Sequence, residues 1–156
     1  TTPSTFAPGE TLNRAQFATI IYRLGGNQPV DFAPVFPDVP EGTWFTTAVI
    51  WANQCGIITG YGDGTFGARD PLTREQMALM MYRYAKFKGY DTSVKADFSK
   101  FADAASVSSY AQEAMQWAVG NGIITGAEGG TKLNPQGQAN RAECATIIMR
   151  FMEKYE

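Results

Sequence analysis

The sequence predicts a mainly α-helical fold in which tandem repeats surround a central three-helix bundle on a pseudo-threefold axis, with short loops or hairpins between the helices. The first observation is an internal repeat, since Phe36-Pro-Asp38 returns as Phe101-Ala-Asp103, 65 residues later. The second is a block that occurs three times and ends each time in an arginine, at Arg14, Arg74 and Arg141. Because such repeats bury their apolar faces against one another, we expect them to pack together.

A helix is predicted to begin at each arginine, because a capping residue precedes it and the partner of that cap follows. The three capping boxes are Asn13 with Gln16, Thr73 with Gln76, and Asn140 with Glu143. Apolar residues then recur at helical spacing and form one stripe per helix: Phe17, Ile20, Ile21 and Leu24; Met77, Met80, Met81 and Tyr84; Cys144, Ile147, Ile148 and Phe151. These three equivalent stripes are the basis for predicting the central bundle.

A second kind of helix is predicted in each full repeat, around Trp51 and Trp117. Both tryptophans lie on an apolar face together with small residues, so we expect them in the core. Gly56 and Gly122 follow, and a glycine there ends a helix because it adopts the left-handed conformation without strain.

The period divides a single domain, residues 1–156, into two and a half repeats. Residues 1–27 correspond to the second half of a first repeat, residues 35–88 to a second repeat and residues 100–156 to a third. No tryptophan helix precedes the first arginine in this sequence. We therefore also expect that the incomplete first repeat can support a homo-oligomer.

The composition argues against several classes of function. Thirteen basic and fifteen acidic side chains give a net charge of -2, so no broad positive field attracts nucleic acid or anionic lipid. No apolar run approaches the roughly 20 residues that cross a bilayer, and no membrane insertion is expected. The chain has no histidine, the commonest general base and metal ligand, which argues against an enzyme, a metal site or a cofactor.

Few other residues suggest chemistry. Cys55 and Cys144 lack the spacing of a zinc or redox motif, and both are expected to be small buried residues without a disulfide. Asp63 and Glu128 are the carboxylate pair to consider for glycan cleavage. They belong to equivalent loops of different repeats, and nothing in the sequence brings them together.

The three arginines are the strongest chemical signal. A cation in the first turn of a helix opposes the helix dipole, so its threefold occurrence needs a reason. A guanidinium beside free backbone N–H groups can bind a carboxylate or a phosphate. The alternative is that the arginines tie repeats together by bonding carbonyls, Asp38 or Asp103. For these two aspartates, however, we expect bonds to nearby backbone N–H groups. Trp44, outside the apolar stripe, is the candidate for stacking on a sugar ring.

Four motifs in a fixed order resemble the S-layer homology family, and the likeness covers nearly the whole chain: Phe36-Pro-Asp-Val39, Gly56-Ile-Ile-Thr-Gly60, Tyr61-Gly-Asp-Gly-Thr-Phe66 and Leu72-Thr-Arg-Glu-Gln76. The resemblance implies a three-pronged pseudo-trimer that binds pyruvylated secondary cell-wall polysaccharide in grooves between repeats, on a bacterial surface. It implies that the arginines contact the ligand and that three loop residues border the grooves: Arg14, Arg74 and Arg141, with Gly60, Asp63 and Gly126.

The match to the family motif Thr-Arg-Ala-Glu is incomplete. It occurs here as Asn13-Arg-Ala-Gln16, Thr73-Arg-Glu-Gln76 and Asn140-Arg-Ala-Glu143. An amide in place of a carboxylate changes the charge beside the arginine, so we expect the grooves to differ. The sequence therefore predicts a non-catalytic extracellular module that holds a larger exported protein on the cell wall. A protein-interaction or self-assembly module is the alternative, because the same grooves could dock another chain.

Overall fold

The computed structural model describes residues 10–61, 63–125 and 131–155. The helices in these ranges are α1 (Arg14–Leu24), α2 (Thr46–Gln54), α3 (Arg74–Phe87), α4 (Gln112–Gly120) and α5 (Arg141–Tyr155), with short 3₁₀ helices at Ala104–Ser106 and Ser109–Ala111. Extended pairing in the same ranges is limited to isolated bridges. The mainly α-helical class is confirmed, whereas the pseudo-threefold arrangement stays a prediction.

All three predicted capping boxes are present, and each positions the start of a helix. Asn13 Oδ1 accepts a hydrogen bond from the backbone N–H of Gln16 at 2.7 Å, and Gln16 Oε1 accepts one from the backbone N–H of Asn13 at 2.8 Å. The boxes before α3 and α5 have the same reciprocal bonds. Each of these helices therefore begins at the predicted arginine.

The chain divides into two compact units. The central unit comprises residues 13–72, and the terminal unit comprises residues 1–12 together with 73–156. In each unit an arginine helix packs on the tryptophan helix of the next repeat, α1 on α2 and α3 on α4. The packing units are therefore out of phase with the sequence period. The repeat boundaries and the single domain proposed from the sequence stay predictions.

In the central unit the packing of α1 on α2 is built around Trp51, which is 3% exposed. The ring of Tyr22 meets the Trp51 ring edge-on, with 5.5 Å between centroids. Gly25 permits this contact at the end of α1, because a β-carbon there would lie 2.7 Å from the indole ring. A larger residue at this position would push α2 away from α1.

In the terminal unit the equivalent tryptophan, Trp117, is fully buried. The ring centroids of Tyr82 and Trp117 are 5.4 Å apart, close to the 5.5 Å between Tyr22 and Trp51 in the central unit. The indole Nε1 donates to the hydroxyl of Tyr155 at 3.0 Å, which ties the end of α5 to α4. The predicted core positions of both tryptophans are confirmed, and so are the left-handed glycines that follow them, with φ of 77° and 70°.

The predicted apolar stripes lie in the cores of the two units. All their members are buried except Ile20, Leu24 and Ile148, which are half-buried. Cys144 belongs to a stripe, and its burial raises the pKa of the thiol to about 12. Both cysteines are free thiols, as expected, but Cys55 is only partly buried because it lies just beyond the end of α2.

Asp38 closes its repeat through two backbone hydrogen bonds. Its carboxylate oxygens accept from the N–H groups of Phe66 at 2.9 Å and Gly67 at 2.8 Å. Partial burial acts to raise the pKa of Asp38, but these bonds outweigh it and the pKa is lowered. Asp103 has the same geometry, with two N–H groups 30 and 31 residues further along the chain. The aspartates therefore bond backbone N–H groups as predicted, but remote ones rather than nearby ones.

Candidate functional site

A cavity of about 290 Å³ opens at the start of α3 in the terminal unit. Its wall contains two guanidinium groups, Arg74 from the first turn of α3 and Arg150 from α5, together with the carboxylate of Glu143. The hydroxyls of Thr125 and Thr146 add neutral polar groups. The other described residues of the wall are aliphatic: Ile123, Ile124, Leu133, Ala142 and Ile147.

Arg74 is held in the cavity wall by the local structure at the start of α3. Its backbone N–H donates to Gly137 O at 3.0 Å, in addition to the capping box formed by the preceding residue. The side chain is 19% exposed, and its Nη2 forms an ion pair with Glu143 Oε2. Burial lowers the pKa of this guanidinium, but an arginine remains charged at neutral pH.

Glu143 performs two tasks at once. Its Oε1 accepts the backbone N–H of Asn140 at 3.2 Å and so completes the capping box of α5. Its Oε2 pairs with Arg74 on α3. In the other two capping boxes this position is Gln16 or Gln76, which caps without adding a negative charge. Of the three capping boxes, the one before α5 therefore contributes a carboxylate, and that carboxylate lies in the cavity wall.

Arg150 was not predicted as a site residue. Its Nη1 donates to Ile123 O at 3.3 Å and to Thr125 Oγ1 at 3.4 Å, both long for such bonds. Among the residues that the structure describes, no carboxylate forms an ion pair with it. A repeat signal was available in the sequence, because an arginine occurs nine positions after each helix-opening arginine, at Arg23, Arg83 and Arg150.

Arg14 is engaged inside the central unit. It is 7% exposed, and its Nε donates to Phe66 O at 2.9 Å. Its guanidinium also lies 4.6 Å from the ring centre of Tyr61 and 4.9 Å from that of Phe66. These contacts match the alternative role considered for the arginines, a structural tie to backbone carbonyls.

Arg141 is the most exposed of the three helix-opening arginines. Its side chain is 39% exposed, and its Nε lies 3.3 Å from Glu10 Oε2, an ion-pair distance without hydrogen-bond geometry. The backbone N–H of Arg141 donates to Glu10 O at 2.9 Å. A ligand can therefore reach this guanidinium, but it would meet a neighbouring carboxylate.

Three other predicted site residues, Gly60, Asp63 and Trp44, are not among the described residues that line the 290 Å³ cavity. Gly60 has a φ of 76° and leaves no room for a side chain between Phe36 and the backbone. Asp63 Oδ1 closes the following turn by accepting from the N–H and hydroxyl of Thr65, and these bonds lower its pKa. Trp44 is 62% exposed, so its ring is accessible. Gly126 and Glu128 lie outside the described residues.

The cavity can hold one small anionic group attached to a ring. Among the described residues of its wall, two arginines and one glutamate give a charge of +1, and the aliphatic side chains add apolar surface. A volume of about 290 Å³ lies at the lower end of the range of ligand cavities, about 300 to 1,000 Å³. The described residues contain no cluster of three or more potential metal ligands. None of the described helices is long and apolar enough to span a membrane.

Comparison with known families decides the relationship. The family model described as S-layer homology domain matches residues 35–78 and 100–145. The chain belongs to this family. The two matched segments contain both closing aspartates, both tryptophan helices and the starts of α3 and α5. The predicted resemblance is confirmed.

Curated relatives share almost all of this chain. It is 34% identical over 98% of its length to an amylopullulanase of Thermoanaerobacterium thermosulfurigenes, and 31% identical over 97% to a surface-layer 125 kDa protein of Lysinibacillus sphaericus. It is 26% identical over 96% to a cellulosome-anchoring protein of Acetivibrio thermocellus. The chain spans only 8%, 12% and 34% of these three relatives.

S-layer homology domains anchor proteins to the cell surface and are typically non-catalytic. The enzymes among the relatives match through a small part of their length, so their activities are not attributed to this chain. Surface-layer and anchoring proteins among the relatives support a location at the cell wall or cell surface, as the sequence predicts.

Proposed function

We propose that this S-layer homology module holds a larger protein on the cell wall by binding an anionic, pyruvylated secondary cell-wall polysaccharide. The observation that carries the proposal is the Arg74 cavity, where guanidinium groups, hydroxyls and aliphatic side chains converge in a volume of about 290 Å³. The printed names of a surface-layer protein and a cellulosome-anchoring protein among the relatives support the anchoring role.

The cavity suits one sugar unit rather than a longer oligosaccharide. Ile124, Leu133 and Ile147 offer an aliphatic wall to the C–H face of a sugar ring. The Thr125 hydroxyl can exchange hydrogen bonds with the sugar hydroxyls, and the Thr146 hydroxyl, which donates to Ala142 O at 3.0 Å, can accept from them. A pyruvyl ketal adds one carboxylate, which the positive charge of the wall attracts.

Anchoring needs more than one such contact. A hydrogen bond to a charged group contributes about 1.5 to 3 kcal/mol, which gives selectivity but little retention. Several sites on a repeating polymer raise the overall avidity. Arg141 is exposed enough to form a second site, whereas Arg14 would first have to give up its bond to Phe66 O, so we expect it to contribute least.

The remaining predicted contacts are part of the same proposal. The accessible ring of Trp44 would stack on a sugar unit, since an exposed indole offers an apolar face with one polar tip. Gly60, Asp63 and Gly126 would border the grooves. A protein-interaction or self-assembly module is the alternative function, and light scattering on the isolated chain tests for self-assembly.

The test is retention of the chain on purified cell walls. Arg74→Ala combined with Arg141→Ala removes both accessible helix-opening cations, and we expect at least about a tenfold loss of retention. Arg23→Ala combined with Arg69→Ala is the matched control, because both arginines are exposed, the pair removes the same number of charges and neither lines the Arg74 cavity. Undiminished retention of the double variant would count against the proposal.

A further inference from the structure

We propose that Arg150 is the residue that selects the acidic sugar, by pairing with its carboxylate, while Arg74 donates to neutral sugar oxygens. The inference rests on the proposed function and assigns different tasks to the two guanidinium groups of the same cavity. It concerns a residue that the capping-box pattern does not single out, since Arg150 is the tenth of the fifteen residues of α5.

The charge of Arg74 is already compensated. Glu143 pairs with it through Oε2, and the other oxygen of Glu143 is held by the N–H of Asn140. A ligand carboxylate that displaced Glu143 would leave this partly buried acid without its counter-ion, which costs free energy. The remaining N–H groups of Arg74 can still donate to hydroxyl or ring oxygens without any displacement.

The charge of Arg150 has no such compensation among the described residues. Its two bonds, at 3.3 and 3.4 Å, go to a carbonyl and a hydroxyl, both neutral. A carboxylate adds an opposite charge to such a bond, forms it at about 2.7 to 2.9 Å and can accept two parallel bonds from one guanidinium. A ligand acid therefore gains more by replacing these contacts than by competing with Glu143.

The charge of the cavity indicates the class of ligand. The described lining residues include two cations and one anion, which leave one positive charge that a sugar with a single carboxylate neutralises. A neutral sugar leaves that charge unmatched in a partly apolar wall, which is unfavourable. Phosphodiester-linked glycans also carry one charge per link, so the experiment includes them as a separate arm.

Glu143 and Arg150 reach the cavity from the same face of α5. Glu143, Thr146, Ile147 and Arg150 follow one another at intervals of three, one and three residues, so they lie on one face of the helix. Glu143, which pairs with Arg74, and Arg150, which would pair with the ligand carboxylate, thus belong to the same helix. Arg74 and Arg150 both belong to helices, and the rings of Tyr84 on α3 and Phe151 on α5, 5.8 Å apart between centroids, join these two helices.

The experiment measures the affinity of the full chain for purified wall glycan with and without its pyruvyl groups, and for a phosphodiester-linked glycan, by calorimetry. For Arg150→Gln we expect the preference for the pyruvylated glycan to fall at least about tenfold. Arg74→Gln with Glu143→Gln removes the ion pair and keeps the cap, as Gln16 and Gln76 do. This double variant should bind both glycans more weakly but keep the preference. Arg23→Gln, at the equivalent position of α1, should change neither.

The outcomes separate the inference from the proposed function. If the wild-type chain does not prefer the pyruvylated glycan, the proposed ligand is wrong. If it does, and Arg150→Gln keeps the full preference, the assignment of Arg150 is overturned while the anchoring function stands. A preference for the phosphodiester-linked glycan that depends on Arg150 would show that Arg150 binds a phosphate, and it would overturn the assignment of a carboxylate as its partner. Should Arg150→Gln not fold by circular dichroism, Arg150→Lys replaces it: loss of the planar fork should lower the preference severalfold, and no change would overturn the inference.

Discussion

At the scale of single residues, Asp38 and Asp103 hold the two full repeats closed by the same pair of bonds. Each carboxylate accepts two backbone N–H groups from a segment about 30 residues further along the chain. Ionised carboxylates form strong bonds of this kind, and the bonds lower the pKa of both aspartates against the opposing effect of burial. The aspartates are therefore structural residues of the repeats and not ligands for the glycan.

Replacing Asp38 by asparagine should destabilise the fold in a pH-dependent way. We expect the free energy of unfolding at pH 7 to fall by about 1 to 3 kcal/mol, because an amide offers only one acceptor oxygen to two N–H groups. The folded pKa of Asp38 is lowered, so its contribution is present above the unfolded pKa of about 3.9 and is lost as the pH falls through the folded pKa. The difference from wild type in thermal unfolding should therefore shrink below about pH 4.

The matched control for this substitution is Asp31→Asn, at an exposed position of the same unit. It should unfold like the wild type at pH 7. If the Asp38→Asn variant and the wild type differed by the same amount from pH 7 down to pH 2, the ionised carboxylate would not be the stabilising species.

The arginines illustrate how much of the candidate site the sequence predicts. Arg74 was predicted from its place after a capping residue, and it does line a cavity. Its pairing with Glu143 and the contribution of Arg150 were not predicted, because both depend on contacts of α5 with α3, Ile123 and Thr125. Three sequence-equivalent arginines thus have three different environments.

At the scale of elements, the helix starts were predictable because their signals are local. A capping box involves residues three positions apart, and all three occur where the sequence indicates. Glu75, the residue after Arg74, is part of the motif Leu72-Thr-Arg-Glu-Gln76, and the sequence predicts no separate role for it. It is 2% exposed and accepts hydrogen bonds from Ser108, Tyr110 and Gln136, between 33 and 61 residues away. A local sequence pattern cannot predict hydrogen bonds between residues so far apart in the chain.

Removal of the Glu75 carboxylate should destabilise the terminal unit. In Glu75→Ala, the Ser108 N–H and hydroxyl, the Tyr110 hydroxyl and the Gln136 amide all lose an acceptor. We expect a loss of about 2 to 3 kcal/mol in the free energy of unfolding, measured by urea denaturation. Glu153→Ala, an exposed position on α5, is the control and should stay within about 0.5 kcal/mol of wild type.

The two variants together distinguish a specific network from a general effect of charge. Equal stability of Glu75→Ala and Glu153→Ala would mean that the bonds around Glu75 contribute nothing net. Glu75→Gln should lie between the two, because it keeps one acceptor oxygen and nearly the same volume.

At the scale of the whole molecule, the repeat period and the packing units differ. The sequence shows that repeats are equivalent, but it does not say which neighbour each helix packs on. The structure joins α1 to α2 and α3 to α4, so the helix that ends one repeat packs on the tryptophan helix of the next, and the boundary between the units falls inside the second repeat. The pseudo-threefold arrangement stays a prediction, since equivalence of the apolar stripes alone does not determine it.

The three helix-opening arginines have different environments, and this difference bears on the proposed anchoring role. Arg14 is tied within its unit, Arg74 is paired in a cavity, and Arg141 is exposed beside Glu10. We therefore expect the Arg74 cavity to provide most of the affinity and the selectivity. Weaker sites would add avidity on a polymer that repeats the same sugar.

The most direct test of the central claim is a nuclear magnetic resonance titration of the chain with a pyruvylated wall saccharide. The account predicts that the backbone amides of Thr125 and Thr146 and the side-chain N–H signals of Arg74 and Arg150 shift on addition of the pyruvylated saccharide. They should shift much less with the same saccharide after removal of its pyruvyl groups. If those signals stay unchanged at saturating saccharide, or shift equally with both forms, the Arg74 cavity does not bind an acidic glycan.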